Sequence, residues 1–271
     1  MSIASRTSRA GTSAEPRPGD VAPPTTPGPL ALLGGGEHRF GCEPIDRWLM
    51  ERVGRGRVRV TVLPAASNSA TLPSTAALAR NHWTELGADV TIAVPHPRWH
   101  AQVAAALAEP DIVVLTGGVP GRLVRTLAAS PVWERVLQLW RDGAALSGSS
   151  AGAMALFAWR LALRAPHPLR LVPALGPLRD YVCVPHFDRF VTSLPALQPW
   201  VRRTERGFAG LGLLGVDEST ALVIDGDDSH VLGHGAVTLI DDRGWRTHAP
   251  GATVPLPRPL LLPPQRMAIA A

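Results

Sequence analysis

The sequence lacks lysine: all 27 basic residues among its 271 positions are arginines. A chain without lysine cannot contain a Schiff-base lysine, a Ser-Lys dyad or the phosphate-binding lysine of a P-loop, so enzymes built on those groups are excluded. The formal net charge of +5 is not concentrated in the middle of the chain, where residues 29–249 hold 22 arginines against 20 acidic residues. Because this balance leaves no evident basic face, no nucleic-acid partner is predicted.

Cysteines and long apolar runs are also scarce. Cys42 and Cys183 are the only cysteines and have no CxxC spacing, so neither a disulfide framework nor a thiolate metal site is predicted. His96 and His100 have the spacing of one helical turn, but no third ligand accompanies them. The sequence therefore predicts no metal and no cofactor. Without an apolar leader or a membrane-spanning run, we expect a cytoplasmic protein without membrane contacts.

Proline is concentrated at both ends of the chain. Residues 1–28 and 250–271 contain 11 of the 27 prolines and few large apolar residues. Such segments cannot bury enough apolar surface to offset the entropy cost of ordering. We therefore expect two disordered tails, and between them a single domain over residues 29–249.

The first half of this domain alternates short apolar runs with longer amphipathic stretches. That alternation predicts an α/β fold in which helices cover both faces of a mostly parallel sheet. Each apolar run ends in a Gly-, Pro- or Ser-containing turn, and such turns carry the functional residues of open α/β sheets. The predicted strands are 29–33, 57–63, 89–94, 111–116 and 144–147, and the predicted helices are 43–53, 73–86, 98–108, 120–128, 131–141 and 151–163.

The pattern changes after residue 165. Residues 165–180 are predicted to form a proline-rich loop and 189–206 a helix that Pro195 and Pro199 kink or break. Residues 181–184 are predicted to form a short strand. The strands predicted after them are expected to run antiparallel and to complete one side of the sheet. They are 211–216, 220–224, 230–232 and 237–240.

A candidate nucleophile lies where the strand at 144–147 runs into small residues. Ser150 stands between Gly148 and Gly152 in the sequence GSSAG, a pattern typical of a nucleophile elbow. The amide of Ala151 would open the following helix and point toward a developing oxyanion. A small-residue turn in which Ser150 caps the helix explains the same letters.

Partners for this serine come from other predicted strand ends. Gly118 follows the strand at 111–116 and could supply a second oxyanion amide, although a plain tight turn explains the paired glycines equally well. His186 follows the strand at 181–184 and is the best-placed base. Asp217 and Glu218 are both candidates for the acid that orients it. Since consecutive strand residues face opposite ways, only one of the two can do so.

Six segments in order resemble peptidase family S51, which includes aspartyl dipeptidase and cyanophycinase. The resemblance spans about 29–241 and implies a three-layer α/β/α sandwich like class I glutamine amidotransferases (flavodoxin-like), with a β-rich C-terminal extension of the sheet. It implies Ser150 as nucleophile, His186 as base, Glu218 as orienting acid, and Gly118 and Ala151 as oxyanion-hole amides. The segments are LLGGGE ending at Glu37, VLPAAS ending at Ser67, LTGG ending at Gly118, GSSAGA ending at Ala153, PHFD ending at Asp188 and GVDESTAL ending at Leu222.

Two departures from the family pattern bear on the substrate. Val119 and Pro120 stand where the family often has Asn or Asp-Gln, and Val184-Pro185 replaces an Asp-Gln that precedes the histidine in cyanophycinases. Cyanophycin is therefore not the expected substrate. We expect a small peptide, with Val119, Arg122 and Arg189 as candidate contacts. Arginines here, including Arg125, could bind a carboxylate. The sequence leaves the oligomeric state open, with a homodimer as one alternative.

Two other functions fit parts of the sequence. An α/β-hydrolase esterase also uses G-x-S-x-G, but it would need an acid before its last histidine, such as Asp225 followed by His234. A scaffold of this family that has lost its substrate contacts could instead serve as a binding module. The predicted function is that of a serine hydrolase that cleaves amide bonds in small peptides.

Overall fold

A computed structural model describes residues 26–54, 56–96, 100–164, 167–193 and 210–256. Its largest element is a seven-stranded sheet. Five neighbouring strands pair in parallel, and two further strands at one edge continue the sheet by antiparallel pairing. In spatial order the strands are β11 (Asp228–Gly233), β10 (Thr220–Asp225), β1 (Leu30–Leu33), β5 (Ala145–Ser149), β4 (Ile112–Leu115), β2 (Arg59–Leu63) and β3 (Asp89–Ile92).

Helices cover both faces of this sheet because the central strands are apolar on both faces. In β1, Leu30 and Leu32 join one buried cluster, whereas Ala31 and Leu33 join the other. The helices α1 (Glu43–Val53) and α2 (Leu72–Glu85) contribute to the second cluster. The helices α3 (His100–Ala106), α4 (Pro120–Ala128), α5 (Val132–Arg141) and α6 (Ala151–Ala155) contribute to the first. The predicted α/β fold with a mostly parallel central sheet is confirmed.

The strands from residue 181 onward divide between two sheets. Only β10 and β11 extend the central sheet as predicted. The remaining strands form a separate four-stranded sheet in the order β13 (Gly244–His248), β12 (Val237–Asp241), β9 (Gly212–Val216) and β8 (Tyr181–Pro185). This sheet has its own apolar cluster, which includes Val182, Leu213 and Ile240. To be buried, this cluster needs the face of a second sheet. Strands added to the edge of the central sheet would not provide that face.

The predicted helix at 151–163 is wrong beyond its first turns. Helix α6 ends at Ala155, and a hairpin of β6 (Trp159–Arg164) and β7 (His167–Pro173) follows, so the predicted loop at 165–180 is also partly wrong. The returning chain pairs with the backbone after α6, because Ala158 donates to the Leu178 carbonyl at 2.7 Å. The predicted helix at 189–206 is observed as α7 (Phe187–Ser193), and its remainder lies outside the described residues.

In both predicted tails, residues nearest the domain pack on it. At the N-terminal side, the Trp140 indole donates to the Gly28 carbonyl at 2.7 Å. At the other side, Val254 is fully buried and its amide donates to the Ser229 carbonyl at 2.9 Å. The packed chain therefore extends beyond the predicted boundary at residue 249. None of the helices in the described ranges has the length and apolar character that a bilayer crossing requires.

A buried polar cluster lies between α1, α2 and the loop after β1. His82 on α2 makes a 2.7 Å hydrogen bond with Asp46 on α1, and both side chains are buried. The Trp83 indole donates to Nε2 of His38 at 3.2 Å. Burial lowers the pKa of His38 to about 4, so this ring is neutral at ordinary pH.

Candidate active site

The end of β1 joins three loops that lie far apart in the sequence. Three consecutive carbonyls there each accept a backbone hydrogen bond from a different loop, which brings the predicted nucleophile, base and acid to one edge of the sheet. The pairs are Ser150 to Leu33 at 3.0 Å, His186 to Gly34 at 2.8 Å and Ser219 to Gly35 at 3.0 Å.

Close packing against this loop explains one of its glycines. A Cβ at Gly35 would lie 2.1 Å from Cε1 of the His186 ring. Any side chain there would displace the imidazole. The imidazole thus rests on the backbone of the loop after β1.

Ser150 occupies a strained turn between β5 and α6. Its backbone angles, φ 50° and ψ −107°, lie in a region that non-glycine residues rarely adopt. The turn is held by tight packing, because a Cβ at Gly152 would lie 2.2 Å from the Leu115 carbonyl oxygen. This strand–turn–helix geometry is that of a nucleophile elbow and presents the Ser150 hydroxyl above the sheet.

The Ser150 hydroxyl begins a chain of side-chain hydrogen bonds. Its Oγ lies 3.0 Å from Nε2 of His186, and Nδ1 of His186 lies 2.9 Å from Oε1 of Glu218. A carboxylate can only accept, so Nδ1 carries the proton and Nε2 is left to accept the serine proton. The three side chains can therefore move a proton from the hydroxyl to the imidazole.

The two candidate acids point in different directions. Asp217 accepts the Ala236 amide at 2.8 Å through Oδ2, and its burial raises the pKa of that carboxyl. Glu218 faces His186 through Oε1, and its other oxygen pairs with the Arg189 guanidinium. Arg189, a predicted substrate contact, thus pairs with the Glu218 carboxylate.

The loop after β4 packs against Ser150. A Cβ at Gly117 would lie 3.3 Å from Cβ of Ser150, so the backbone just before Gly118 packs against Ser150. Val119 donates to the Ala66 carbonyl at 3.0 Å, which ties this loop to the end of β2. Ala151 opens α6, and the amides of a first helical turn have no partner within their helix.

A cavity of about 680 Å³ is lined by residues that neighbour Gly118 and His186 in the sequence. Val119 and Pro120 line it on the side of the loop after β4, and Val184 and Pro185, which precede His186, also line it. Of the predicted substrate contacts, Val119 lines this cavity and is 51% exposed, whereas Arg122 is exposed and does not line it.

Arginines form the polar part of the cavity wall. Arg125, Arg160 and Arg170 line it, and guanidinium atoms of the first two lie 3.3 and 3.4 Å from where a Cβ at Gly121 would be. Burial, together with the charge of Arg125, lowers the pKa of Arg160. Nε of Arg160 is buried and has no hydrogen-bond partner among the described residues. Two guanidinium groups held together in this way attract an anion.

Sequence reasoning did not identify Arg160 or Glu37 as site residues. Arg160 reaches the cavity only because β6 and β7 form a hairpin, where a helix was predicted. Glu37 ends the glycine segment after β1, and its carboxylate bonds Ser149 and Gly117. The charge of Glu37, directly after three glycines at a strand end, was the one available signal.

The residues of the esterase alternative lie elsewhere. Asp225 pairs with Arg52 at 3.3 Å, and the His234 ring packs against Phe40 with ring centroids 6.5 Å apart. Among the residues described, no group of three or more His, Cys, Asp or Glu side chains is placed to hold a metal ion. The side chain of His100 lies outside the described residues.

Known proteins resemble the chain in sequence and in fold. Cyanophycinases from Trichormus variabilis and from a Nostoc species are each 28% identical over 231 residues, which cover 81% of this chain and 75% of theirs. A peptidase from an acI-B1 actinobacterium superposes with a TM-score of 0.75 at 23% identity, covering 86% of this chain and 98% of that one. A putative peptidase E from Listeria monocytogenes gives 0.58 at 18% identity, covering 76% and 98%. A model of peptidase family S51 matches residues 30–232, so the chain belongs to that family of peptidases.

Proposed function

We propose that this peptidase cleaves its substrate through an acyl-enzyme on Ser150, with His186 as base and Glu218 as the acid that orients it. The observation that carries the proposal is the continuous hydrogen-bond chain of 3.0 and 2.9 Å through the three side chains. The strained backbone of Ser150 supports it, because such strain is common where a nucleophile is presented.

The chemistry follows from the proton positions. Ser150 Oγ attacks the amide carbonyl while Nε2 of His186 takes the hydroxyl proton, and Glu218 stabilises the imidazolium that forms. The amides of Gly118 and Ala151 bind the tetrahedral oxyanion. His186 returns its proton to the leaving amine, and a water molecule, activated by the same imidazole, then releases the acyl group from Ser150.

We propose a small peptide with an anionic group as the substrate. Arg125 and Arg160 offer adjacent guanidinium donors on the wall of the cavity that Val119 and Pro185 also line, and a carboxylate is the peptide group that such donors bind best. Val119 borders the same cavity, so it is placed to contact the substrate. Arg122 and Arg189 are less well positioned to contact the substrate. Arg122 does not line the cavity, and Arg189 pairs with Glu218.

Labelling with a fluorophosphonate probe tests the nucleophile. The wild-type protein is expected to form one covalent adduct on Ser150, and Ser150→Ala none. The same two proteins are then screened against a peptide library for turnover. A wild-type protein that folds, yet neither labels nor cleaves any peptide, would be a catalytically silent binding module and would refute the proposal.

The arginine pair is tested with peptides that differ by one charge. Replacing a substrate carboxylate by its amide is expected to lower kcat/KM by about 10- to 100-fold, because a hydrogen bond to a charged group contributes about 1.5–3 kcal/mol. Arg160→Leu should remove most of this discrimination. Arg80→Leu is the control, since Arg80 bonds the Val90 carbonyl at 3.3 Å near the far strand β3. Equal turnover of both peptides by the wild-type protein would exclude an anion site.

A further inference from the structure

The carboxylate of Glu37 connects two loops of the active site without belonging to the catalytic chain. Oε1 accepts the Gly117 amide at 2.7 Å, and Oε2 accepts the Ser149 hydroxyl at 2.7 Å. Each partner immediately precedes a residue with a role in the proposed reaction. Ser149 comes before the nucleophile Ser150, and Gly117 comes before Gly118.

We propose that Glu37 is a positioning residue that sets the separation between the Ser150 hydroxyl and the oxyanion amide of Gly118. This inference rests on the proposed function, because the separation matters only if Ser150 is the nucleophile. Glu37 itself contacts neither reacting atom. It acts through the two neighbours to which it is hydrogen-bonded.

The strands that carry the two loops pair as far as Leu115 and Gly148, so the loops lie beyond the end of the strand pairing. There Ser150 holds strained angles, and Gly118 has φ 134°, a region that favours glycine. The carboxylate bonds one residue of each loop at the point where Gly117 and Ser150 almost touch. Losing it would let the oxyanion amide move away from the hydroxyl, and a displacement of 1 Å reduces rates by about 100-fold.

The hydrogen bond between Ser149 and Glu37 gives the two adjacent serines different partners. The Ser149 side chain is buried, with 1% of the residue exposed, and its proton is donated to Glu37. Ser150 instead meets His186. Glu37 therefore fixes the Ser149 side chain, while the Ser150 hydroxyl stays available for attack.

Variants of Glu37 and Ser149 separate geometry from charge. Glu37→Gln keeps both bonds, because the amide oxygen accepts from Gly117 and the amide nitrogen donates to the Ser149 hydroxyl. Glu37→Ala breaks both bonds, and Ser149→Ala breaks one. Glu43→Ala is the matched control, since Glu43 also accepts a backbone amide at 2.7 Å, that of Gly41, away from the elbow.

The readout is the rate of Ser150 labelling by a fluorophosphonate, resolved into kinact and KI, together with the melting temperature. In this reaction the Ser150 oxygen forms a bond to phosphorus, fluoride leaves, and the serine proton passes to His186. Glu37→Ala is expected to lower kinact by about 100-fold with KI changed by less than about 3-fold. Ser149→Ala should lower kinact by about 10-fold, and Glu37→Gln and Glu43→Ala should stay within about 5-fold of wild type.

Several results would overturn the inference. Labelling of Glu37→Ala at the wild-type rate would show that the connection is dispensable, and a kinact for Glu37→Gln as low as that of Glu37→Ala would mean that charge acts rather than position. If Glu37→Ala does not fold, Ser149→Ala and Glu37→Gln decide the question by the same criteria. A wild-type protein that is not labelled on Ser150 would refute the proposed function instead, and the inference with it.

Discussion

Replacing Glu218 by glutamine should inactivate the enzyme for a reason specific to this site. Oε1 of Glu218 accepts from His186 at 2.9 Å, and Oε2 accepts from Arg189. Glutamine retains one oxygen and gains one NH2 group. Arg189 can only donate, and its charged hydrogen bond is stronger than a neutral one, so it should take the amide oxygen.

The NH2 group would then face Nδ1 of His186. A donor in that position requires an unprotonated Nδ1, so the ring proton moves to Nε2. Once Nε2 carries a proton, it can no longer accept the proton of Ser150. Loss of the correct tautomer is expected to lower kcat by about 10³- to 10⁴-fold. This corresponds to about 4–5.5 kcal/mol of transition-state stabilisation.

The double variant Arg189→Ala with Glu218→Gln tests this reasoning directly. Without the guanidinium, the amide can rotate and offer its oxygen to His186, so the double variant should be at least about 10-fold faster than Glu218→Gln alone. Arg189→Ala alone should cost no more than about 5-fold, because an exposed ion pair contributes about 0.2–1 kcal/mol.

Asp217→Asn is the matched control for the acid. Its side-chain oxygen can keep the 2.8 Å bond from Ala236, and it does not face His186, so we expect kcat/KM within about 3-fold of wild type. Steady-state kinetics on a peptide identified from the library give both parameters, and melting temperatures check folding. A larger loss in Asp217→Asn than in Glu218→Gln would reassign the acid. Failure of a folded double variant to recover activity would refute the amide-orientation argument.

Three further predictions concern substrate choice, pH and the chain end. Val119→Asn should change which library peptides are cleaved while the free energy of unfolding moves by no more than about 0.5 kcal/mol, since Val119 is 51% exposed; an unchanged profile would place recognition elsewhere. Because burial lowers the pKa of His38 to about 4 from the ordinary 6.5, the unfolded chain takes up this proton first, and stability should fall by about 3 kcal/mol as pH drops from 6.5 to 4. Urea unfolding at each pH measures this, and an equal slope in His38→Gln would contradict it. A chain ending at Ala249 should be about 1.5–3 kcal/mol less stable in urea than one ending at Leu256, because it lacks the buried Val254; equal stabilities would mean that this contact contributes nothing.

Much of the fold could be predicted because its signals are local. Helix α1 begins and ends where the sequence predicted, with a proline in its first turn and a left-handed Gly54 after its end. The central strands are short apolar runs with glycine or proline after them. The stretch after α6 was misread because its apolar residues fit both a helical period and the alternation of a strand. Pairing with β7 across a short hairpin decided between them, and the apolar pattern of the stretch itself does not contain that information.

The residues of the candidate site likewise divide into those that a local sequence motif marks and those that no motif marks. Ser150, His186 and Glu218 stand in short motifs at strand ends, which marks all three in the sequence, although β8 and β9 belong to the second sheet. Arg160 has no such motif. Its place at the cavity depends on the hairpin that was not predicted, and the position of Glu37 depends on hydrogen bonds to two loops about 80 and 112 residues away in sequence.

The three carbonyls at the end of β1 also determine how activity can be lost. Because Leu33, Gly34 and Gly35 each bind a different loop that holds a proposed catalytic residue, fraying of this strand end releases all three loops in one cooperative opening. A destabilised sample then contains molecules that are either fully competent or inactive, rather than uniformly slow ones. Titration of active sites would report this as a smaller burst amplitude, while each remaining competent molecule turns over at its full rate.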